Sequence, residues 1–415
     1  MSETPEGRPI RARAGTNLGG ASSHNRRVVI DALRLNGALS RAEIARSTHL
    51  TPQAVSNIAQ ELQKAGLVEA GDAIKLARGQ PAIPYRLVPN GALAIGLHID
   101  RHYARCVAVN LVGEALIREG RRLPPGGPAT GVPIVLDLLE RTLSQSADIS
   151  ADAAERIVGL GMAMPGPFGV ERDHSDEWMM AAWQAYPLAE TVAAATGLKV
   201  RLVNDATASA IAERLKGIAH GLSDFVFIFL GYGLGAGIVI DGDVYEGAHA
   251  NAGEIGEILM RLPGPGATPL SPMAIPTPVE HDASLASLAR ALDVPAGEPD
   301  MFDAIEAALR VRDPRLDRWT SVAAQQLRRS VQIVESLFDP ETVIIGGEAP
   351  MALLEQLHDK MMPLLPSVSD RPNRTRPRLV VGTADRWAVA LGAGTEPISR
   401  AFDPRFSAIL KSAKA

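Results

Sequence analysis

A chain of 415 residues is too long for one ordinary hydrophobic core and predicts two or three domains. With 46% apolar and 4% aromatic residues it reads as a soluble globular protein, without the roughly 18–20 consecutive apolar residues that span a bilayer. Cys106 is the single cysteine, which excludes an intrachain disulfide and a multi-cysteine zinc cage and fits a reducing cytoplasm. The N-terminus has no apolar h-region and does not read as a secretory signal. The net charge of −5 is unevenly spread: residues 1–90 carry 12 Lys and Arg against 7 Asp and Glu, leaving −10 for the remainder. A basic module on an acidic body predicts an anionic partner for that module.

Residues 1–22, rich in Gly, Ser, Arg and Pro without periodicity, read as a flexible basic arm. Residues 23–88 follow a helical pattern. Val28, Val29, Ile30, Leu33 and Leu35 predict the apolar face of a first helix stopped near Asn36-Gly37. Ser40 with Glu43 forms a capping box for a second helix that buries Ile44 and Ala45. Thr51-Pro52 starts a third, which runs to about Ala65 with Val55, Ile58, Ala59 and Leu62 inward. Between these two helices the turn needs a residue tolerant of positive φ, and His49 takes that place. Strand-like runs at Leu67–Ala70 and Pro84–Leu87 bracket a basic tip, which completes a winged helix-turn-helix. Gln53, Ser56, Asn57 and Gln60 lie opposite the apolar stripe, and Gln and Asn can each bridge adenine N6 and N7. The expected DNA contacts are Thr51, Gln53, Ser56 and Asn57 on the third helix, with Arg78 and Gln80 on the wing. A plain solvated face is the competing reading.

Val88–Gly91 is the linker, and a second architecture spans 92–400, leaving 401–415 as a tail. The stretch from Ala94 reads as strand, turn, strand, then a Val112-Gly113 turn. Phe225 to Tyr245 repeats that order, so an internally duplicated, two-lobed α/β domain is predicted. Helices are expected near Ile134–Ser144, Leu188–Thr196, Ala304–Leu309, Trp319–Phe338 and Met351–Leu365. Asn251-Ala-Gly-Glu254-Ile-Gly256 sets one carboxylate among glycines, where backbone can approach a ligand and Glu254 can accept from polyol hydroxyls. Asn204-Asp205 follows a strand, where it serves equally as a helix cap or as part of a cleft.

Together, the glycine turn Gly231–Gly235, the NAGEIG segment, Asn204-Asp205-Ala206 and the Pro165-Gly166-Pro167 loop resemble the ROK family of repressors, open reading frames and sugar kinases. The likeness extends over about Ser23 to Ile398, DNA-binding segment included. It implies an actin-like (ribonuclease H-like) sugar-kinase fold with a sugar cleft. Asp205 matches the kinases' general base, and Asn204, Asp205, Glu254, Glu257 and Glu280 form the implied sugar-binding set. Departures from the family pattern are equally informative. The phosphate-binding Asp-x-Gly-Gly-Thr turn becomes His98-Ile-Asp100-Arg101-His102, and Tyr232 replaces a threonine in the second phosphate turn. Glu257 stands where the family often has a zinc-ligating His, and 264–278 has no cysteine but is a Pro/Gly-rich loop, so neither zinc nor ATP is expected as a cofactor. The loop matching the family's Asn…Trp sugar contact runs from Glu177 to Trp183, with Met179 at the asparagine.

The resulting expectation is a cytoplasmic regulator, a repressor that binds operator DNA, answers to a sugar or sugar derivative, works as a homodimer or homotetramer and has lost phosphoryl transfer. The alternatives are an active ATP-dependent sugar kinase with an appended DNA-binding domain, and a regulator with an empty cleft governed by a protein partner.

Overall fold

A computed structural model describes residues 18–73, 82–150, 152–170, 180–260, 276–295 and 300–401. The chain separates into two compact units, with the boundary between Val88 and Pro89 and the second unit ending at Ile398.

In the first unit, α1 (Leu18–Asn36) begins inside the segment read as an arm, so residues 18–22 are helical. Extending a helix already held by packing costs far less than nucleating one. Val29, Ile30, Ala32 and Leu33 are buried, whereas Leu35 is 39% exposed, because two positions beyond Leu33 the helix has turned away from the core. After β1 (Leu39–Ser40) comes α2 (Arg41–Thr48), closed by the reciprocal capping box: Glu43 N donates to Ser40 Oγ at 3.4 Å and Ser40 N to Glu43 Oε2 at 2.8 Å. His49 adopts φ 56°, ψ 20° at the turn. In α3 (Pro52–Lys64) Thr51 is the N-cap, accepting from Ala54 N at 3.2 Å. Val55, Ile58, Ala59 and Leu62 are its buried residues, each large aliphatic chain contributing about 1.5–3 kcal/mol by leaving water. β2 (Val68–Ala70) pairs antiparallel with β3 (Pro84–Leu87), and β3 also pairs with β1, giving sheet order β1-β3-β2. The wing tip with Arg78 and Gln80 lies outside the described residues, as do residues 1–17 and 402–415.

Two lobes of matching topology make up the second unit. The first contains β4 (Leu93–Ile99), β5 (Tyr103–Asn110), β6 (Ala115–Arg122), α4 (Pro128–Ser146), α5 (Ala153–Arg156), β7 (Ile157–Met164), α6 (Met180–Ala185), α7 (Leu188–Thr196), β8 (Val200–Asn204) and α8 (Asp205–Lys216). The second contains β9 (Phe225–Leu230), β10 (Leu234–Ile240), β11 (Asp243–Val244), β12 (Leu259–Met260), β13 (Thr277–Pro278), α9 (Leu285–Leu292), α10 (Asp300–Val311), α11 (Pro314–Phe338), β14 (Thr342–Gly347), α12 (Met351–Met361) and β15 (Leu379–Ala384), followed by α13 (Ala388–Ala401). The sheets run β6-β5-β4-β7-β8 and β11-β10-β9-β14-β15. In each, three antiparallel strands are followed by two parallel ones. The duplication expected from the two hairpins is thus realised strand for strand.

β6 goes beyond the hairpin read in the sequence, because its half-exposed, charge-rich run lacks an apolar signature. Thr277-Pro278, assigned to a loop, is instead a short strand on Leu259-Met260, where Pro278 suits a two-residue edge pairing. Residues 261–275 lie outside the described residues.

Candidate functional site

Every residue of the implied sugar-binding set (Asn204, Asp205, Glu254, Glu257 and Glu280) lines one cleft that opens to solvent. His98, Arg101, Tyr232 and the Pro165-Gly166-Pro167 loop line it too. Asn204 closes β8 and caps α8: its Oδ1 accepts from Ala206 N at 2.8 Å, while its Nδ2 donates to Glu254 Oε1 at 3.2 Å. Cap and cleft are therefore served by one amide, and the two readings of this residue do not compete.

Local backbone explains how Asn204 and Glu254 can meet. A Cβ on Gly166 would stand 2.1 Å from Glu254 Oε1 and 2.7 Å from Asn204 Nδ2, so only glycine leaves both polar groups in place. Gly253 has φ +92°, and a Cβ there would lie 1.9 Å from Ala236 O. The same peptide accepts from Ala236 N at 2.8 Å, which sets the NAGEIG loop against β10. Asn251 ties this loop to the first lobe, accepting from Phe168 N at 2.7 Å and donating to Phe168 O at 2.8 Å. Gln184 anchors the Pro165-Gly166-Pro167 loop by donating to Pro165 O and Gly166 O at 2.9 and 3.0 Å.

Titration in the cavity is displaced from ordinary values. Burial raises the Asp205 carboxyl to about 7; the hydrogen bond from Ala206 N opposes this, and the Asp100 charge adds to it. Burial, then the Arg105 charge, lowers His98 to about 3, so its ring is neutral at physiological pH. His98 is 1% exposed, and its Nδ1 has no hydrogen-bond partner among the described residues.

The two hairpin turns that face each other across the cleft are joined by side chains. The Arg101 guanidinium lies 4.3 Å from the centre of the Tyr232 ring, and His102 packs on that ring at 5.6 Å. Deeper, Arg105 on β5 pairs with Glu348 after β14 at 3.1 Å, their side chains 4% and 5% exposed. Sequence reasoning missed this pair, although an arginine inside an otherwise apolar strand signals a buried partner. Trp183, placed by resemblance at the sugar, packs in the core of the first lobe and does not line the cavity; its indole fills the space over Gly131, where a Cβ would stand 2.2 Å from Cζ2. Glu177 and Met179 lie outside the described residues. Among the described residues no three His, Cys, Asp or Glu side chains are grouped to hold a metal ion, and no helix is long and apolar enough to cross a membrane.

On the first unit, Thr51, Gln53 and Asn57 are exposed along α3 and Ser56 is half-buried. Gln53 Nε2 donates to Asn57 Oδ1 at 3.1 Å, aligning the two amides. The sequence reading overlooked Arg41. Its Nε donates to Tyr85 Oη at 3.0 Å, its Nη1 to Ser56 Oγ at 3.0 Å, and its guanidinium lies 5.2 Å from the Tyr85 ring centre. A fixed, exposed cation thus adjoins the amides of α3.

Residues 94–394 match the ROK family and residues 27–75 the MarR family. The chain is 25% identical over 340 residues to a xylose repressor of Caldicellulosiruptor bescii, covering 78% of this chain and 83% of that one. In fold it is similar to a ROK family transcriptional regulator, a homolog of the E. coli MLC protein (TM-score 0.66, 24% identity, 93% and 97% covered). It is also similar to a ROK family glucokinase from Streptomyces griseus solved with glucose and AMPPNP (TM-score 0.55, 22% identity, 74% and 99% covered). A winged helix-turn-helix unit thus precedes a two-lobed sugar-kinase fold, and the chain belongs to the ROK family.

Proposed function

We propose that this protein is a sugar-responsive transcriptional repressor whose second unit binds its effector without phosphorylating it. The observation that carries the reading is the pairing of an exposed amide face on α3 with a cleft that gathers Asn204, Asp205, Glu254, Glu257 and Glu280. Asn204, Glu254 and the neighbouring carboxylates take the ligand's hydroxyls. Thr51, Gln53, Ser56 and Asn57, with Arg78 and Gln80 of the wing, contact operator DNA, and Arg41 adds a phosphate contact beside them. Two such units in a homodimer read a two-fold operator, and ligand binding changes their spacing. The protein acts in the cytoplasm.

The two turns argue against phosphoryl transfer. Asp100 puts a carboxylate, and Arg101 stacked on Tyr232 puts bulk, where a nucleotide's phosphates need bare backbone. Incubation with ATP, Mg²⁺ and a panel of aldoses is expected to give no sugar phosphate above background; turnover would reinstate the kinase reading.

The direct test is fluorescence anisotropy on DNA from upstream of the gene and adjacent operons at fixed salt, with and without sugars, xylose first because of the C. bescii relative. Specific binding altered by a sugar is the expected result; specific binding indifferent to every sugar would point to a protein partner. Arg41→Ala is expected to weaken binding about tenfold on every sequence and reduce the salt slope by about one. Asn57→Ala is expected to cost about 1–3 kcal/mol and relax preference at one base pair.

A further inference from the structure

Arg201 on β8 stands where three segments of the second unit meet. Its Nη2 donates to Glu246 Oε2 at 2.5 Å, and its Nε lies 2.8 Å from Glu396 Oε1 on α13. The α13 side is held by packing: the helix lies so close to β7 that a Cβ on Gly161 would stand 1.8 Å from Ala393 O and 3.2 Å from Pro397 Cδ. Gly161 is the register partner of Arg201 in the parallel β7–β8 pair, so the same approach sets Glu396, its side chain 6% exposed, beside the guanidinium. Glu246 opens the loop that leads to the site. Tyr245 N donates to Ile238 O at 2.8 Å and Ala252 N to Glu246 O at 3.1 Å, which closes the loop at its base just before Gly253 and Glu254. Along β8, Asn204 follows Arg201 by three residues, about 10 Å of strand, and meets Glu254 at 3.2 Å. Strand and loop are therefore joined twice, at the cleft by Asn204 and Glu254 and outside it by Arg201 and Glu246, neither of which lines the cleft. The inner hydrogen bond is at the long end of its range and leaves the Glu254 carboxylate room to swing. The outer pair is short and charge-assisted, and it narrows that room.

We propose that Arg201 is a positioning residue for the effector: by pinning Glu246 it sets the separation of Glu254 from Asn204, and with it the affinity for a sugar's hydroxyls. This rests on the reading of the cleft as a sugar site. Glu396 supplies the fixed end of the pin and Glu246 the loop end. A site already held in its binding geometry leaves the ligand less ordering to impose, and the saving appears as affinity.

The test is calorimetric titration of the full chain with xylose, glucose, galactose, mannose and N-acetylglucosamine, the tightest of which is then titrated into the variants. Arg201→Gln and Glu246→Gln are each expected to weaken it about fivefold, equivalent to about 1 kcal/mol. The double variant is expected to lose no more than either alone, since both changes remove one contact. Arg201→Lys is expected to recover part of the loss, because an ammonium can pair with Glu246 but lacks the fork that reaches both carboxylates. Glu246→Gln leaves Arg201 beside Glu396, so the comparison stands even where Arg201→Gln does not fold. A wild type that binds sugar no more tightly than the Gln variants overturns the positioning role and leaves the sugar reading standing. Losses that add in the double variant do the same. If no sugar binds the wild type, both fall.

Discussion

Replacing Glu348 by Ala is expected to destabilise the second unit by about 3 kcal/mol, because it removes the carboxylate paired with the largely buried Arg105 guanidinium. The side chains are 4% and 5% exposed and meet at 3.1 Å. An arginine does not neutralise by losing its proton, so its charge stays and loses its closest anionic partner. The pair itself adds little over an apolar filling of the same volume. Arg105→Met with Glu348→Leu should therefore recover most of the loss. Urea unfolding, followed by the midpoint at constant m-value, checks both. A single-variant loss below about 1 kcal/mol would mean that the guanidinium finds water or another partner. Since Arg105 sits on a first-lobe strand and Glu348 follows a second-lobe strand, the pair also bolts the lobes together. The double variant should then keep its stability while altering how sugar changes DNA affinity.

That pair marks the boundary of what the sequence discloses. Where structure is set by near neighbours, reading is direct: the Ser40–Glu43 box, the Thr51-Pro52 start, the left-handed His49 and the Val55–Leu62 stripe are all dictated within a few residues. The duplicated sheet was legible too, since each hairpin repeats the same strand-turn-strand order. Contacts across long separations were not. Asn251 was visible as part of a motif, yet its hold on Phe168, 83 residues away, depends on how the lobes fold. Arg105 announced the need for a partner but could not name Glu348, 243 residues on. Arg41 looked like any helix-start cation until Tyr85 was brought beneath it. Trp183 shows the opposite failure: resemblance placed it at the ligand, and the packing of α6 put it in the core.

Replacing Asp205 by Asn is expected to stabilise the unliganded protein near neutral pH and to change the shape of its pH–stability curve. Burial holds the Asp205 carboxyl at about 7 against an ordinary 3.8. A raised folded-state value means that the native state keeps a proton the unfolded chain has already released. The contribution of Asp205 is then complete below about pH 3.8 and is lost as pH rises towards 7. His98 acts in the reverse sense. Its folded-state value of about 3 lies below the ordinary 6.5, so its contribution is lost as pH falls from 6.5 towards 3. Between about pH 4 and 6.5 the two slopes offset one another, and the wild type should be nearly level there. Asparagine removes one slope and can still accept from Ala206 N, so the variant's stability should climb through that window and exceed wild type by about 2 kcal/mol at pH 8, less than the full displacement because Asp205 is only half-buried. Melting temperatures at half-unit steps from about pH 4 to 8 measure it, the gain appearing as several degrees. A wild-type-to-variant difference constant across that range would show that Asp205 ionises like an ordinary carboxylate. The gain also carries a functional sign: a site group that destabilises the empty protein is one whose cost is recovered when ligand binds. The stabilised variant should accordingly show a smaller rise in melting temperature with sugar than wild type does.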